Sequence, residues 1–490
     1  MCKQKHCMVS NIMCIAALLI IIVPVGIACI VLGYCMGDNP CILCWEERIA
    51  MILAALTMIF ITRYGLQLRY IGTLVLICVY GLWAGFRHSS GHMLKDIGQG
   101  FGPAILGVHT YVWVMVIFMC ILFSGAIVLL FTKNLTPDLP LSFTWTWFNR
   151  LTVFVFLFIV VMNIIQAFTQ VGPPPFIGQG DPYRMTFDSS RTKWSMAHWA
   201  TPSSFSFDAG YYIPRPDFSE VDPLHKVFSP PLSLIRKIPL PDMIKGTATG
   251  LSYSPQKNIF AIVTSDNGAY ILNSDLSKIL SYVKIDGSFS VELSNMAGVT
   301  FDSDNSLLLV TDHKSYVRLR LDENARFKDS YWLFTDGTDG ISEVARDRFL
   351  TVRSKYNYTG DIAWDAGNHE YIAVTLPSEQ HPNLIAMRFD GQDYQLNSET
   401  RIKITDRDDG NIPFITGITV KDGTVYLLDH NARQLMIMDL KSDSVTDTKS
   451  VSAVLNPQGI TTKGNRLLVL DAGKTGNRVY EYSLDTVLHH

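Results

Sequence analysis

The chain has 490 residues, too many for one ordinary domain. Its 41 Lys and Arg against 44 Asp and Glu leave a net charge of −3, which excludes the basic bias of a nucleic-acid binder. The average conceals a division. Residues 1–170 are mostly Ile, Leu, Val, Met, Phe and Cys, whereas residues 172–490 are polar and rich in Asp, Ser, Thr and Asn. All nine cysteines lie at or before Cys120.

In chain order, the apolar part predicts five transmembrane helices. Residues 12–35 carry no charge until the run ends, enough to span a hydrocarbon core. Further runs extend from Trp45 to Thr62, from Tyr70 to Phe86, within 105–131, and over 151–170. The second is the weakest, because its first turn holds Glu46, Glu47 and Arg48; it spans if that turn sits at headgroup level. The first run is too long for a secretory h-region and lacks a small-x-small cleavage site. With the N-terminus inside, the cytoplasmic segments hold Lys3, Lys5, Arg63, Arg69, Lys133 and Arg150, against Arg48, Arg87 and Lys95 outside. That bias predicts a cytoplasmic N-terminus and, after an odd number of spans, an exterior C-terminal part. Cys41 and Cys44 then face an oxidising compartment, where disulfides persist.

The joint VGPPPFIGQGDP, residues 171–182, predicts a semi-rigid extended spacer, followed by Trp194 and Trp199. From about residue 245 a repeat begins. Gly250, Gly298, Gly360, Gly417 and Gly459 each open an alternating apolar stretch. Second strands close on Asp312, Asp429 and Asp471, and third strands follow at 434–440 and 478–484. The spacing predicts a β-propeller of five or six blades, a sixth coming from residues 200–245 or from closure between the ends. A pair of β-sandwiches is the competing reading. The expected boundaries are 1–135 for a four-helix membrane domain, 136–170 for a cytoplasmic loop and fifth helix, 171–200 for the linker, and 201–490 for the propeller.

The chemistry concentrates in NPCILCWEER, residues 39–48. A CxxC pair can be a redox disulfide, half of a metal site, or two small apolar residues. His88, His92 and His109 could assist a metal, but no second CxxC or HxxxH follows at finger spacing, so no metal is expected. Asp38 and Pro40 place Cys41 and Cys44 at a helix start, where backbone N–H groups and the helix dipole favour a thiolate. A redox pair needs an acceptor, and neither a GxGxxG nor a Walker sequence is present. At a membrane face the acceptor can be a lipid-soluble quinone. Arg48, four residues after Cys44, shares its helical face and could stabilise negative charge on a quinone oxygen. The plainer reading of Arg48 is snorkelling toward headgroups.

Pro40, Cys41, Leu43, Cys44, Glu47 and Arg48 in a first exterior loop resemble the motif of the DsbB family of quinone-dependent thiol oxidases, over roughly residues 10–131. The fifth span and the exterior propeller resemble its DsbI branch. The resemblance implies a four-helix core plus a fifth transmembrane helix in a bacterial inner membrane, with a periplasmic C-terminal domain. It implies that Cys41 and Cys44 form the quinone-proximal disulfide. The expected contacts to the quinone (ubiquinone or menaquinone) are Arg48, Trp45, His88, His92 and Met93. The expected partner is a periplasmic thioredoxin-fold protein of the DsbA type. One departure matters: the second exterior loop, 87–110, has no cysteine, whereas the family carries its second pair there. Either the partner attacks Cys41–Cys44 directly, or Cys35 serves as a shuttle thiol.

Cys14, Cys29, Cys78 and Cys120 lie in apolar runs and read as small hydrophobes, while Cys2 and Cys7 face the cytoplasm. Asp312-His313 and Asp429-His430 recur at one repeat position, and turn chemistry is favoured there over a metal site. The alternative from a different class is a membrane-anchored propeller scaffold with an inert cysteine pair.

Overall fold

The computed structural model describes residues 2–35, 40–96, 104–131, 145–167, 229–285, 296–302, 306–312, 314–328, 346–350, 358–377, 383–404, 413–473 and 476–484. The joint 171–182, Trp194, Trp199, Lys133 and His313 lie outside these residues. The chain divides into two compact units, Met1–Ile213 and Pro214–His490.

The first unit is helical. Helix α1 (Cys2–Ile20) runs on into a wide π-type segment, Ile21–Cys35, with Pro24 inside it. Then come α2 (Ile42–Tyr64), α3 (Leu68–Asp96), α4 (Thr110–Phe131) and α5 (Trp147–Gln166). Four stretches are long and apolar enough to cross a membrane: Met8–Cys35, Leu68–Met93, Thr110–Ile127 and Trp147–Gln166. The protein is therefore a multi-pass membrane protein. The remaining helix, α2, has the length, at 23 residues, but carries the charged first turn. It packs against α1, α3 and α5. Ala50, Ala54 and Ala55 on α2 are fully buried and sit in one core with Val25, Phe118, Phe156 and Ile159. Small side chains allow that close helix approach, which supplies packing where lipid offers no hydrophobic gradient.

The α5 seam is unusual in composition. Asn149, Thr152, Phe156, Ile159, Asn163 and Gln166 are its buried residues, and their alternating three- and four-residue spacing puts them on one face. Asn149 Nδ2 donates to Ser10 Oγ of α1 at 2.8 Å. Such amides hold membrane helices together because hydrocarbon offers them no other partner. Helix α3 also runs ten residues past the apolar run that predicts it, so Arg87 to Asp96 are helical rather than loop. A two-residue hairpin follows, pairing Ala104–Ile105 with Val108–His109 and turning at Leu106 (φ 53°) and Gly107 (φ 76°).

The second unit is a five-bladed β-propeller. Its inner strands are Ala248–Ser254, Met296–Phe301, Thr359–Asp365, Ile415–Lys421 and Pro457–Lys463. Each opens an antiparallel meander of four strands, and a short fifth strand, Lys403–Ile404, edges the fourth blade. The predicted second and third strands fall at Ser306–Thr311, Thr424–Asp429, Arg466–Gly473, Gln434–Asp439 and Gly476–Ser483. Among the described residues ahead of the repeat, 229–245 make no sixth blade. Strand Leu234–Pro239 instead pairs with Gly476–Ser483 as the outer strand of the last blade, so closure joins the two ends of the domain.

The repeated glycines are explained by proximity. Every inner strand has a register shift at its glycine. A Cβ on Gly250 would stand 2.9 Å from Gly298 Cα, and one on Gly459 would stand 2.8 Å from Leu251 N. Five blades bring neighbouring inner strands so close that no side chain fits between them. In the third blade Asp361 enters this ring, fully buried, accepting from Ile362 N (2.8 Å) and Ile418 N (3.0 Å). Burial pushes its carboxyl well above the usual range. One end of the axis opens into a cavity of about 500 Å³ lined by all five inner strands, including Ser252, Thr300, Thr419 and Thr461.

The Asp-His recurrence is turn chemistry where it is described. Asp429 accepts from Phe414 N (3.3 Å) and Asn431 N (3.1 Å), and His430 Nδ1 donates to Pro457 O (2.8 Å) in the next blade.

Gly417→Ala is expected to lower the propeller's stability by about 1–3 kcal/mol, the usual scale of overpacking, measured by thermal denaturation of the detergent-solubilised chain. The closing blade makes a second expectation. Burial alone would raise the Glu481 carboxyl, but hydrogen bonds from Arg236 and Arg466 outweigh it and hold it below its ordinary 4.5. A carboxyl lowered in the folded state contributes stability that is full above its unfolded pKa and is lost as pH falls through the folded one. Glu481→Gln should cost about 1–2 kcal/mol at pH 7, and its gap from the wild-type melting temperature should close as pH falls below about 4.

Candidate redox site at the start of the second helix

Cys41 is the N-cap of α2, with extended backbone at φ −76° and ψ 169°. Its Sγ accepts from Cys44 N at 3.0 Å, the contact a Ser or Asp oxygen makes at other helix starts. The i, i+3 spacing in the first turn sets the two sulfurs 2.7 Å apart, both as free thiols. Cys41 is buried and Cys44 is half-buried.

The three charges that follow leave the helix in three directions. Glu46 meets Tyr80 OH (2.6 Å) and Arg87 Nη2 (3.1 Å) on α3. Glu47 Oε1 meets His88 Nδ1 at 2.9 Å, and both side chains are buried. Arg48 turns the other way. Its Nη1 donates to Gln166 Oε1 of α5 (2.7 Å) and its Nη2 to Ala28 O of the wide segment (3.0 Å). With 7% of its surface exposed, Arg48 is held inside the helical unit, so the snorkelling reading does not describe it. Its guanidinium also lies 5.2 Å from the Trp45 ring centroid.

His88 joins the cysteines directly, with Nε2 3.7 Å from Cys41 Sγ. Its ring rests 4.8 Å from the buried Tyr111 ring of α4 and meets His92 edge-on at 4.9 Å. His109 stacks on the Tyr111 ring, at 5.4 Å. The sulfur–imidazole–carboxylate chain Cys41–His88–Glu47 is arranged to move a proton from thiol to imidazole, the carboxylate fixing the ring and stabilising its charged form. The ligand atoms of Cys41, Cys44 and His88 also lie within 4.8 Å of one another, and these three could hold a soft metal ion with Glu47 behind the imidazole.

Of the residues expected at the site, Cys41, Cys44, His88 and His92 gather on the α2–α3 side, while Arg48 reaches α5 and the wide segment with its guanidinium over the Trp45 ring. Met93 is 48% exposed. Cys35 ends the wide segment, half-buried, outside the Cys41–Cys44–His88 group. Three participants escape the sequence reading: Glu47 as partner of His88, Tyr111, and Gln166. The signal for Gln166 was present in the amides and hydroxyl of Asn149, Thr152, Asn163 and Gln166, set at helical spacing in an otherwise apolar run.

A cysteine pair at a helix start, with a buried His–Glu pair beside it in a multi-pass membrane protein, is a candidate thiol redox centre. Residues 10–100 match the sequence profile of the family "Disulfide bond formation protein DsbB". The chain thus joins a DsbB-like membrane domain to a β-propeller. No curated protein matches it. Among solved structures, it is similar to a luciferin-regenerating enzyme (10% identity, TM-score 0.35, 51% of this chain and 95% of the other). It is also similar to glutaminyl cyclase of Myxococcus xanthus (13%, 0.35, 51% and 97%) and to aldose sugar dehydrogenase of Streptomyces coelicolor (11%, 0.32, 51% and 97%). These likenesses carry nothing into the chemistry of this chain.

His88→Gln is expected to slow alkylation of Cys41 by N-ethylmaleimide at pH 7 about tenfold, because the proton acceptor is lost. Glu47→Gln should act in the same direction and less strongly. Peptide mass spectrometry of the reduced full-length protein reads both.

Proposed function

We propose that the protein is a membrane dithiol oxidase that re-oxidises an exterior thioredoxin-fold partner through Cys41–Cys44 and delivers the electrons to a membrane quinone. The observation that carries this reading is the dithiol at the α2 N-cap with a buried arginine one turn beyond Cys44, inside a segment that matches the DsbB family.

The partner enters as a dithiol. Its thiolate attacks the Cys41–Cys44 disulfide, forming one mixed disulfide and releasing one thiolate. The partner's second thiolate then attacks the partner's sulfur of that mixed disulfide and displaces the cysteine of this chain as a thiolate, leaving the partner oxidised and both Cys41 and Cys44 reduced. No cysteine in 87–110 intervenes, so this exchange happens at Cys41–Cys44 directly or by way of Cys35. Re-forming the disulfide removes two electrons and two protons from the pair. His88, oriented by Glu47, takes the proton from Cys41.

The residues present fit a quinone. Trp45 Nε1 is buried without a hydrogen-bond partner among the described residues, a donor suited to a carbonyl oxygen, and Arg48 lies beside the same ring. Trp45 and Arg48 would hold the head group, with His88 and His92 supplying protons from the α3 side. A bound quinone supplies the sink for the two electrons and two protons.

The basic residues favour a cytoplasmic N-terminus, so the redox turn and the propeller face the periplasm, where the propeller would dock the partner or its substrates. A second reading, zinc held by Cys41, Cys44 and His88, is favoured by the spacing of those ligand atoms. Thiol-alkylation mass shifts separate the readings. In cells, Cys41 and Cys44 are expected to be oxidised and to become reduced when quinone is depleted. A pair that stays reduced in both conditions, with stoichiometric zinc in the purified protein, overturns the oxidase reading.

A further inference from the structure

The fifth helix has no part in the chemistry outlined above, yet its last residue touches the redox turn. Gln166 is fully buried, and its Oε1 accepts from Arg48 Nη1 at 2.7 Å across 118 residues of sequence. Room for it is made on the opposite helix, where a Cβ on Gly33 would overlap the Gln166 amide. The contact is anchored along the same seam. A Cβ on Gly26 would stand 3.1 Å from Ile159 Cδ1, and Tyr34 OH donates to Met162 O at 3.4 Å. Ala28 O of the wide segment takes the other arm of the guanidinium at 3.0 Å.

We propose that Gln166 is a positioning residue for the acceptor site: it holds the Arg48 fork in place, so that the fifth helix completes a redox centre whose cysteines sit on the second. This inference rests on the quinone-dependent reading. A guanidinium gripped on two arms by two helices has its plane set before the acceptor arrives. Without the α5 arm, Arg48 must lose rotamer freedom on each binding event, which weakens acceptor binding. The cysteines, held by the α2 N-cap and by His88, do not depend on that arm. The effect therefore separates: acceptor binding changes, and thiol exchange does not.

The test uses the full-length protein in detergent, with dithiothreitol as electron donor and a short-chain ubiquinone analogue as acceptor. Gln166→Leu is expected to raise KM for the analogue about tenfold, the usual worth of one hydrogen bond to a charged group. The rate of Cys41–Cys44 reduction by dithiothreitol without quinone should stay at the wild-type value. Gln166→Glu, which keeps the acceptor oxygen, should bring KM back to within about threefold. Gly33→Val reads the same contact from the other helix by displacing the amide, and should raise KM alike, even where Gln166→Leu fails to accumulate. A wild-type KM in these variants overturns the inference, as does a parallel loss of thiol exchange with no rescue by Glu. A wild-type protein that reduces no quinone overturns the oxidase reading, and this inference with it.

Discussion

Three adjacent ionisable side chains in the first turn of a helix inside a membrane protein set the constraint on which the helical unit depends. Charged groups buried inside a protein need partners, because burial removes the water that would otherwise solvate them. Glu46 is met by Tyr80 and Arg87, Glu47 by His88, and Arg48 by Gln166 and Ala28. Those partners lie on α3, on α5 and on the wide segment of α1. Satisfying one turn of α2 therefore fixes which faces three other stretches must present. The same turn begins at Cys41, whose sulfur caps it, so the geometry of the dithiol and the packing of the helical unit are one problem.

Division of labour follows from the direction each charge takes. Toward α3, the Glu47–His88 pair reaches the Cys41 sulfur and forms a proton path. Toward α5 and the wide segment, Arg48 reaches Gln166 and Ala28, with the Trp45 ring beside its guanidinium. Glu47 leaves this turn toward α3 and Arg48 toward α5 and the wide segment, in the same first turns that carry the two cysteines. The 87–96 segment, helical rather than loop, matters here. A helix continuing from α3 places His88 and His92 one turn apart and at a defined height, which a loop would not do.

Much of the fold was legible because it is written locally. Apolar runs interrupted by charge define spans, and alternating strands opened by glycine define blades. Five glycines at blade spacing marked the inner strands, and the structure shows why they are glycine: adjacent inner strands leave no room for a Cβ. The fourth strands were not legible. Leu396–Arg401 and Ser444–Ser450 are polar, since outer strands face water and carry no apolar alternation. Blade number escaped too, because the closing strand Leu234–Pro239 lies 245 residues from its ionic partner and resembles any surface strand until it is paired.

At the candidate site, the position of Cys41 and Cys44 at a helix start was legible from spacing, because both belong to one turn; the direction Arg48 takes was not. What the sequence by itself determined is therefore everything set by covalent neighbours: the membrane and propeller halves and the cysteine pair at a helix start. Tertiary structure alone decided which distant groups answer them. Gln166 meets Arg48 across 118 residues, and Glu47 meets His88 across 41. Partners at such separations are chosen by packing and by the cost of leaving a buried polar group unpaired, and neither is encoded in any local period.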